Sequence, residues 1–170
     1  MMGRRFTVAV AAVLPFLLMT TPIARAQPAR LKDAIVGSWA LVSLRSTRPD
    51  GGAAMPYGPY AAGTAWFDPK GRFGIILVNP DIPKYASSQR PAPAEAMAVA
   101  TGSNALFGTY AIDGAARTVI LHIAASSYPN DNGTDQTRVV KSIGENQLIL
   151  DIPALPNGGA AVELVFNRVE

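Results

Sequence analysis

From Trp39 to the C-terminus, turn residues cut the sequence into eight short β-type runs, and this punctuation constrains the fold more than any other feature. The runs are Trp39–Ser46, Thr64–Asp68, Arg72–Asn79, Leu106–Ile112, Thr118–Ala124, Thr134–Ser142, Gln147–Ile152 and Ala160–Val169. Asp68-Pro69-Lys70-Gly71 places Pro in a turn with Gly behind it, while Asp113-Gly114 and Asn157-Gly158-Gly159 supply residues that tolerate positive φ. Within runs the pattern alternates: Leu148, Leu150 and Ile152 against Gln147 and Asp151, and Val162, Leu164 and Phe166 against Glu163 and Asn167. The expected fold is all-β, an eight-stranded up-and-down antiparallel barrel that removes its sheet edges by closing on itself. A barrel of that strand number is either filled by its own side chains or holds one small ligand.

Two kinds of helix interrupt the pattern. Leu31–Val36 reads as a short N-terminal helical turn ended by Gly37, and Ala92–Ala100 as a short helix with Pro93 to start it and Gly102 to end it. The second lies in a long connection, Asn79–Asn104. Another long connection, Arg48–Gly63, is rich in Gly and Pro and carries Tyr57 and Tyr60 over one end of the structure.

The charge balance changes meaning once its location is considered. The chain of 170 residues has 15 Lys+Arg against 12 Asp+Glu. Arg4, Arg5 and Arg25 all fall in the first 26 residues, which contain no acid, so 12 bases balance 12 acids beyond them. Residues 1–26 read as a secretory signal peptide: Arg4-Arg5, an apolar run from Phe6 to Met19, then Ala24-Arg25-Ala26 as a small-x-small cleavage site before Gln27. The run is too short for a spanning helix. The mature domain, 27–170, is thus expected to be neutral, periplasmic or secreted, without a membrane span and without nucleic acid as a partner. It has no cysteine and one histidine, His122, which excludes disulfides, thiolate metal sites and any site needing two imidazoles. No cofactor or metal is expected, for no P-loop, dinucleotide fingerprint or zinc spacing occurs.

In motif order the chain resembles the lipocalin-like domain family. Gly37-Ser38-Trp39 is the G-x-W opening of a first strand, Phe67-Asp68-Pro69-Lys70-Gly71-Arg72 is similar to the second hairpin, and Phe107-Gly108-Thr109-Tyr110 is similar to the strand after the helix. Tyr128-Pro129-Asn130 followed by Gly133-Thr134-Asp135-Gln136-Thr137-Arg138 is the most specific stretch, and Leu164–Val169 resembles the final strand. Asp131 stands where the family usually has an aromatic residue. The resemblance implies a lipocalin-like barrel and small-molecule binding, with some members assisting cyclisation or isomerisation. It also implies a structural plug, with the Arg168 guanidinium stacked on the Trp39 indole where the first and last strands meet.

Four side chains are candidates for the cavity. His122 shares a face with Thr118 and Ile120, and with that face turned inward its imidazole would donate, accept or shuttle a proton. Gln136 and Arg138 share a face opposite Lys141, which prefers solvent, and are predicted to point inward within reach of His122. Tyr110 could add a hydroxyl. Ser126 and Ser127 lack a nucleophile elbow and a third triad member, so a hydrolase is not expected. Three functions follow. An exported barrel binds a small, largely hydrophobic molecule oriented by Tyr110, His122, Gln136 and Arg138; a cofactor-independent cyclase or isomerase uses His122 as acid or base with Arg138 stabilising negative charge; or a filled barrel serves a structural or partner-binding role.

Overall fold

The structure, a computed structural model, describes residues 31–87, 89–153 and 160–169. The signal expected over 1–26 and the turn at Asn157-Gly158-Gly159 lie outside the described residues. Nine strands form one antiparallel sheet: β1 (Gly37–Thr47), β2 (Ala53–Ala54), β3 (Ala62–Phe67), β4 (Arg72–Val78), β5 (Ser103–Asp113), β6 (Thr118–Ser126), β7 (Asp135–Ile143), β8 (Gln147–Ile152) and β9 (Ala161–Val169). All but β2 are the strands of the expected barrel, which closes where β1 pairs with β9 from Ser38↔Val169 to Thr47↔Ala161. The addition, β2, is a two-residue strand laid on the end of β1. A tight turn makes it, in which the Arg48 amide donates to Gly52 O (2.8 Å) and the Gly51 amide to Arg48 O (2.9 Å).

Antiparallel order sorts the connections by end. The turns at 68–71, 114–117 and 144–146 gather at one end, beside the short helix α1 (Leu31–Ala34). The connections 48–61, 79–102 and 127–134 gather at the other, which is the mouth. The second of these carries helix α2 (Pro93–Gly102). Pro93 occupies its first turn, where a missing N–H costs nothing, and the Glu95 carboxylate accepts from the amides of Ala92 (2.7 Å) and Ala86 (2.8 Å).

The register slips at three places, Leu41/Ser43, Phe107/Gly108 and Val140/Ser142. Each extra residue moves the following side chains to the other face. On β1 the inner wall therefore runs Trp39, Leu41, then Leu44 and Ser46. At the second slip β5 and β6 approach so closely that a Cβ on Gly108 would overlap the His122 carbonyl.

The core is densest toward the closed end. Trp39, Phe73, Val119, Leu121, Leu148, Leu150 and Phe166 have no exposed surface, and Phe67 has 2 %. Each such large apolar side chain contributes roughly 1.5–3 kcal/mol by leaving water. That end is sealed by a stacked pair: the Arg168 guanidinium lies 4.1 Å from the Trp39 ring centroid. Arg168 Nε donates to Glu145 O (2.7 Å), Nη1 to Val36 O (2.8 Å) and Nη2 to Ala34 O (2.7 Å), while the indole donates to Ile35 O (2.9 Å). One guanidinium thus satisfies Ala34 O at the end of α1, Val36 O just beyond it and Glu145 O in the β7–β8 turn. Among the described residues, no helix is long and apolar enough to cross a membrane.

Candidate functional site

The inner wall is partly exposed toward both ends. Near the mouth Leu44, Asn104, Ser126, Gln136 and Ile152 are half-buried, although Ser46, Leu77 and Leu106 beside them are buried, and toward the closed end Leu41, Tyr110, Ile112 and Ile143 are half-buried as well. The mouth positions point into the barrel by parity, and Ile152 also borders the outer groove across β1, β7, β8 and β9. Tyr57, from the connection after β1, packs over the same region against the core.

Register decides which polar groups share this space. Directly paired residues of adjacent strands lie on one face, and β6 pairs with β7 as Val119↔Arg138, Leu121↔Gln136 and His122↔Asp135. Val119, Leu121 and Ile123 are the buried side of β6, so Arg138 and Gln136 point inward. Arg138 is 7 % exposed. Its Nη2 donates to Gln136 Oε1 (2.5 Å) and its Nη1 to Thr137 O (3.2 Å), whereas Nε is buried without a partner. It forms no ion pair among the described residues. Burial lowers its pKa to about 10, opposed by the Asp131 carboxylate, so the group is cationic at neutral pH.

The same register corrects the expectation for His122. The imidazole lies on the outer wall, 46 % exposed, with Nδ1 2.6 Å from Asp135 Oδ1. The reason is volume and polarity: the aliphatic trio at 119, 121 and 123 claims the interior, leaving Thr118, Ile120 and His122 outside. The imidazole therefore does not face the inner wall on which Arg138 sits, and it touches nothing held there. Tyr110 needs a second correction. It points inward, but its hydroxyl donates to Asp68 O (2.8 Å) and its ring packs edge-on to Phe67 at 5.2 Å, which ties it to the β3–β4 turn at the closed end. Leu121 stands between it and Gln136 in register.

Other residues, not among the expected four, complete the mouth. Burial pushes the Tyr57 phenol up, Asn104 pulls it back and the Asp131 carboxylate adds to the rise, so the hydroxyl is a protonated donor at neutral pH. Asn104 Oδ1 accepts from the hydroxyls of Ser126 (3.4 Å) and Ser127 (3.3 Å), and Asn132 Oδ1 accepts from the Ser126 amide (2.7 Å). These bonds pin the 127–134 connection, and with it Asp131, to β5. The aromatic residue in a Gly/Pro-rich connection was the sequence signal for Tyr57; Asn104 carries none, because its role depends on α2 running directly into β5.

The outer wall has a groove of about 410 Å³ across β1, β7, β8 and β9, bordered by Arg45, Lys141, Asp151 and Glu163. Lys141 pairs there with Glu163 and lies 3.9 Å from Asp151 Oδ2, while Asp151 Oδ1 is buried without a hydrogen-bond partner. Among the described residues, no cluster of His, Cys, Asp or Glu is arranged to hold a metal ion.

Comparison with known proteins places these features. The sequence profile of the lipocalin-like domain matches residues 36–169. A search of curated proteins gives no match. Among solved structures, the chain is similar to a lipocalin-like protein from Bacteroides uniformis, at 16 % identity and TM-score 0.45, covering 80 % of this chain and 99 % of that one. It is also similar to a de novo designed fluorescence-activating β-barrel, at 12 % identity and TM-score 0.41 over 82 % of this chain and 98 % of that one. A third is bovine odorant binding protein in complex with a selenium-containing odorant, at 14 % identity and TM-score 0.42 over 82 % and 73 %.

Proposed function

The chain belongs to the lipocalin-like domain family, and on that premise we propose that it is an exported carrier that holds a small, largely hydrophobic molecule in the mouth half of its barrel. Arg138 and Gln136 orient the polar end of that molecule, and the aliphatic wall around them takes the rest. The observation that carries this reading is the inward-facing pair of Arg138 and Gln136, in which a buried cation keeps an unpartnered Nε on an otherwise aliphatic wall. A barrel serving only as a packed structural body has no use for an unpaired cation inside it, because burying one is costly. The outward position of His122 removes the acid or base on which an isomerase reading of the cavity depended.

The test is saturable binding of the neutral fluorescent probe N-phenyl-1-naphthylamine. The protein is expected to enhance its fluorescence with one-to-one saturation. Leu44→Trp, which fills the mouth, should abolish the enhancement, and Ile76→Ala on the outer wall should leave it intact. Enhancement that survives Leu44→Trp and disappears with Ile76→Ala would move binding to the outside of the barrel. Export is tested separately by sequencing the N-terminus of protein secreted from a bacterial host, which should begin at Gln27.

A further inference from the structure

We propose that the polar end of the bound molecule is a carboxylate, seated on the unpartnered edge of the Arg138 guanidinium with the Gln136 amide beside it. This rests on the carrier reading and narrows it to one ligand class.

Donors, charge and surroundings together select the ligand class. A guanidinium has five N–H donors and no acceptor. Gln136 Oε1 and Thr137 O each take one, and the buried Nε–H has no partner. Because the guanidinium can only donate, the Gln136 amide must face it with its oxygen, which leaves the amide NH₂ as a further donor. The site therefore offers donors and a positive charge. An ionised carboxylate is acceptor-only, planar and matched to the guanidinium fork, whereas an alcohol or amide brings hydrogens of its own and no charge.

The count of charges selects among anions. Among the described residues, Arg138 is the one buried side chain that carries a charge, with Val119 opposite it and Val140 two residues along the same strand. A single cation neutralises a single negative charge, while a phosphate monoester carries nearly two. Asp131, whose carboxylate is close enough to act on both Arg138 and Tyr57, adds negative potential that disfavours a dianion further. An unpaired charge among aliphatic walls is costly, and a carboxylate monoanion offsets that cost where a neutral ligand cannot.

The test uses a chain-length series of straight-chain carboxylates and the matching alcohols, titrated calorimetrically at neutral pH into delipidated protein. At the best length, the carboxylate is expected to bind ~10- to 100-fold more tightly than its alcohol, the range of a charge-assisted hydrogen bond. Arg138→Met and, as a polar replacement in case Met perturbs folding, Arg138→Gln should abolish the preference and still bind the alcohol. Equal affinities for acid and alcohol in the unaltered protein, or a preference that survives both substitutions, would overturn the carboxylate assignment and leave the carrier reading standing. Binding of neither series at any length would reject the carrier reading and the assignment together.

Discussion

Arg138 is held charged on an aliphatic wall, and its neighbours explain how. Two neutral oxygens and the Asp131 carboxylate offset part of the desolvation, but Nε has no partner. A buried charge of this kind trades stability for recognition. Replacing it by Met, which fills similar volume without a charge, is therefore expected to raise the stability of the ligand-free protein by about 1–4 kcal/mol, read as a higher midpoint of urea unfolding. At this scale the sequence was partly legible. The inward direction of Gln136 and Arg138 followed from Lys141 preferring solvent on the opposite parity. His122 misled because a polar residue in an apolar run invites a functional reading, while the three aliphatic residues flanking and alternating with it carried the stronger signal. Its partner, Asp135, sits on the same parity of the next strand and would have marked that face as the outer one.

At the level of elements, the eight barrel strands could be read because each lies between turn residues whose backbone preferences stop a ladder: Pro69 and Gly71, Gly114, Asn146. The bulges could not. One extra residue in a strand leaves only a break in parity, and in Leu41-Val42-Ser43-Leu44 either parity looks plausible until β9 fixes the partner. Nor could β2, whose two alanines pair only because the turn before them folds back. The element junction most exposed to a single change is the start of β1. Gly37 has φ of 140°, and a Cβ there would overlap Arg168 Nη1. Gly37→Ala should strain the backbone by about 1–3 kcal/mol and displace the guanidinium from the indole, so that the urea midpoint falls and the Trp39 emission shifts with it. With the ligand held at the mouth, as proposed, the loss should be the same when ligand is present.

For the whole molecule, the apparent basicity of the chain belongs to its first 26 residues, and the barrel beyond them is neutral. The two ends differ in what gathers at them: Arg168 stacks on Trp39 beside α1 at the closed end, and the polar groups Tyr57, Asn104 and Asp131 meet at the mouth. A ligand carried in such a barrel should leave its signature at one end only. The most direct measurement is a titration of isotope-labelled protein with decanoate, followed by NMR at the Arg138 Nε–H, the Gln136 amide and the Leu44 and Ile152 methyl groups, with the Trp39 indole and the His122 ring as references. The account predicts saturable shifts at the four mouth positions, the largest at Arg138 Nε–H, with Trp39 and His122 unmoved. Shifts confined to His122 and the outer wall, or none at Arg138 when the protein is saturated, would contradict it.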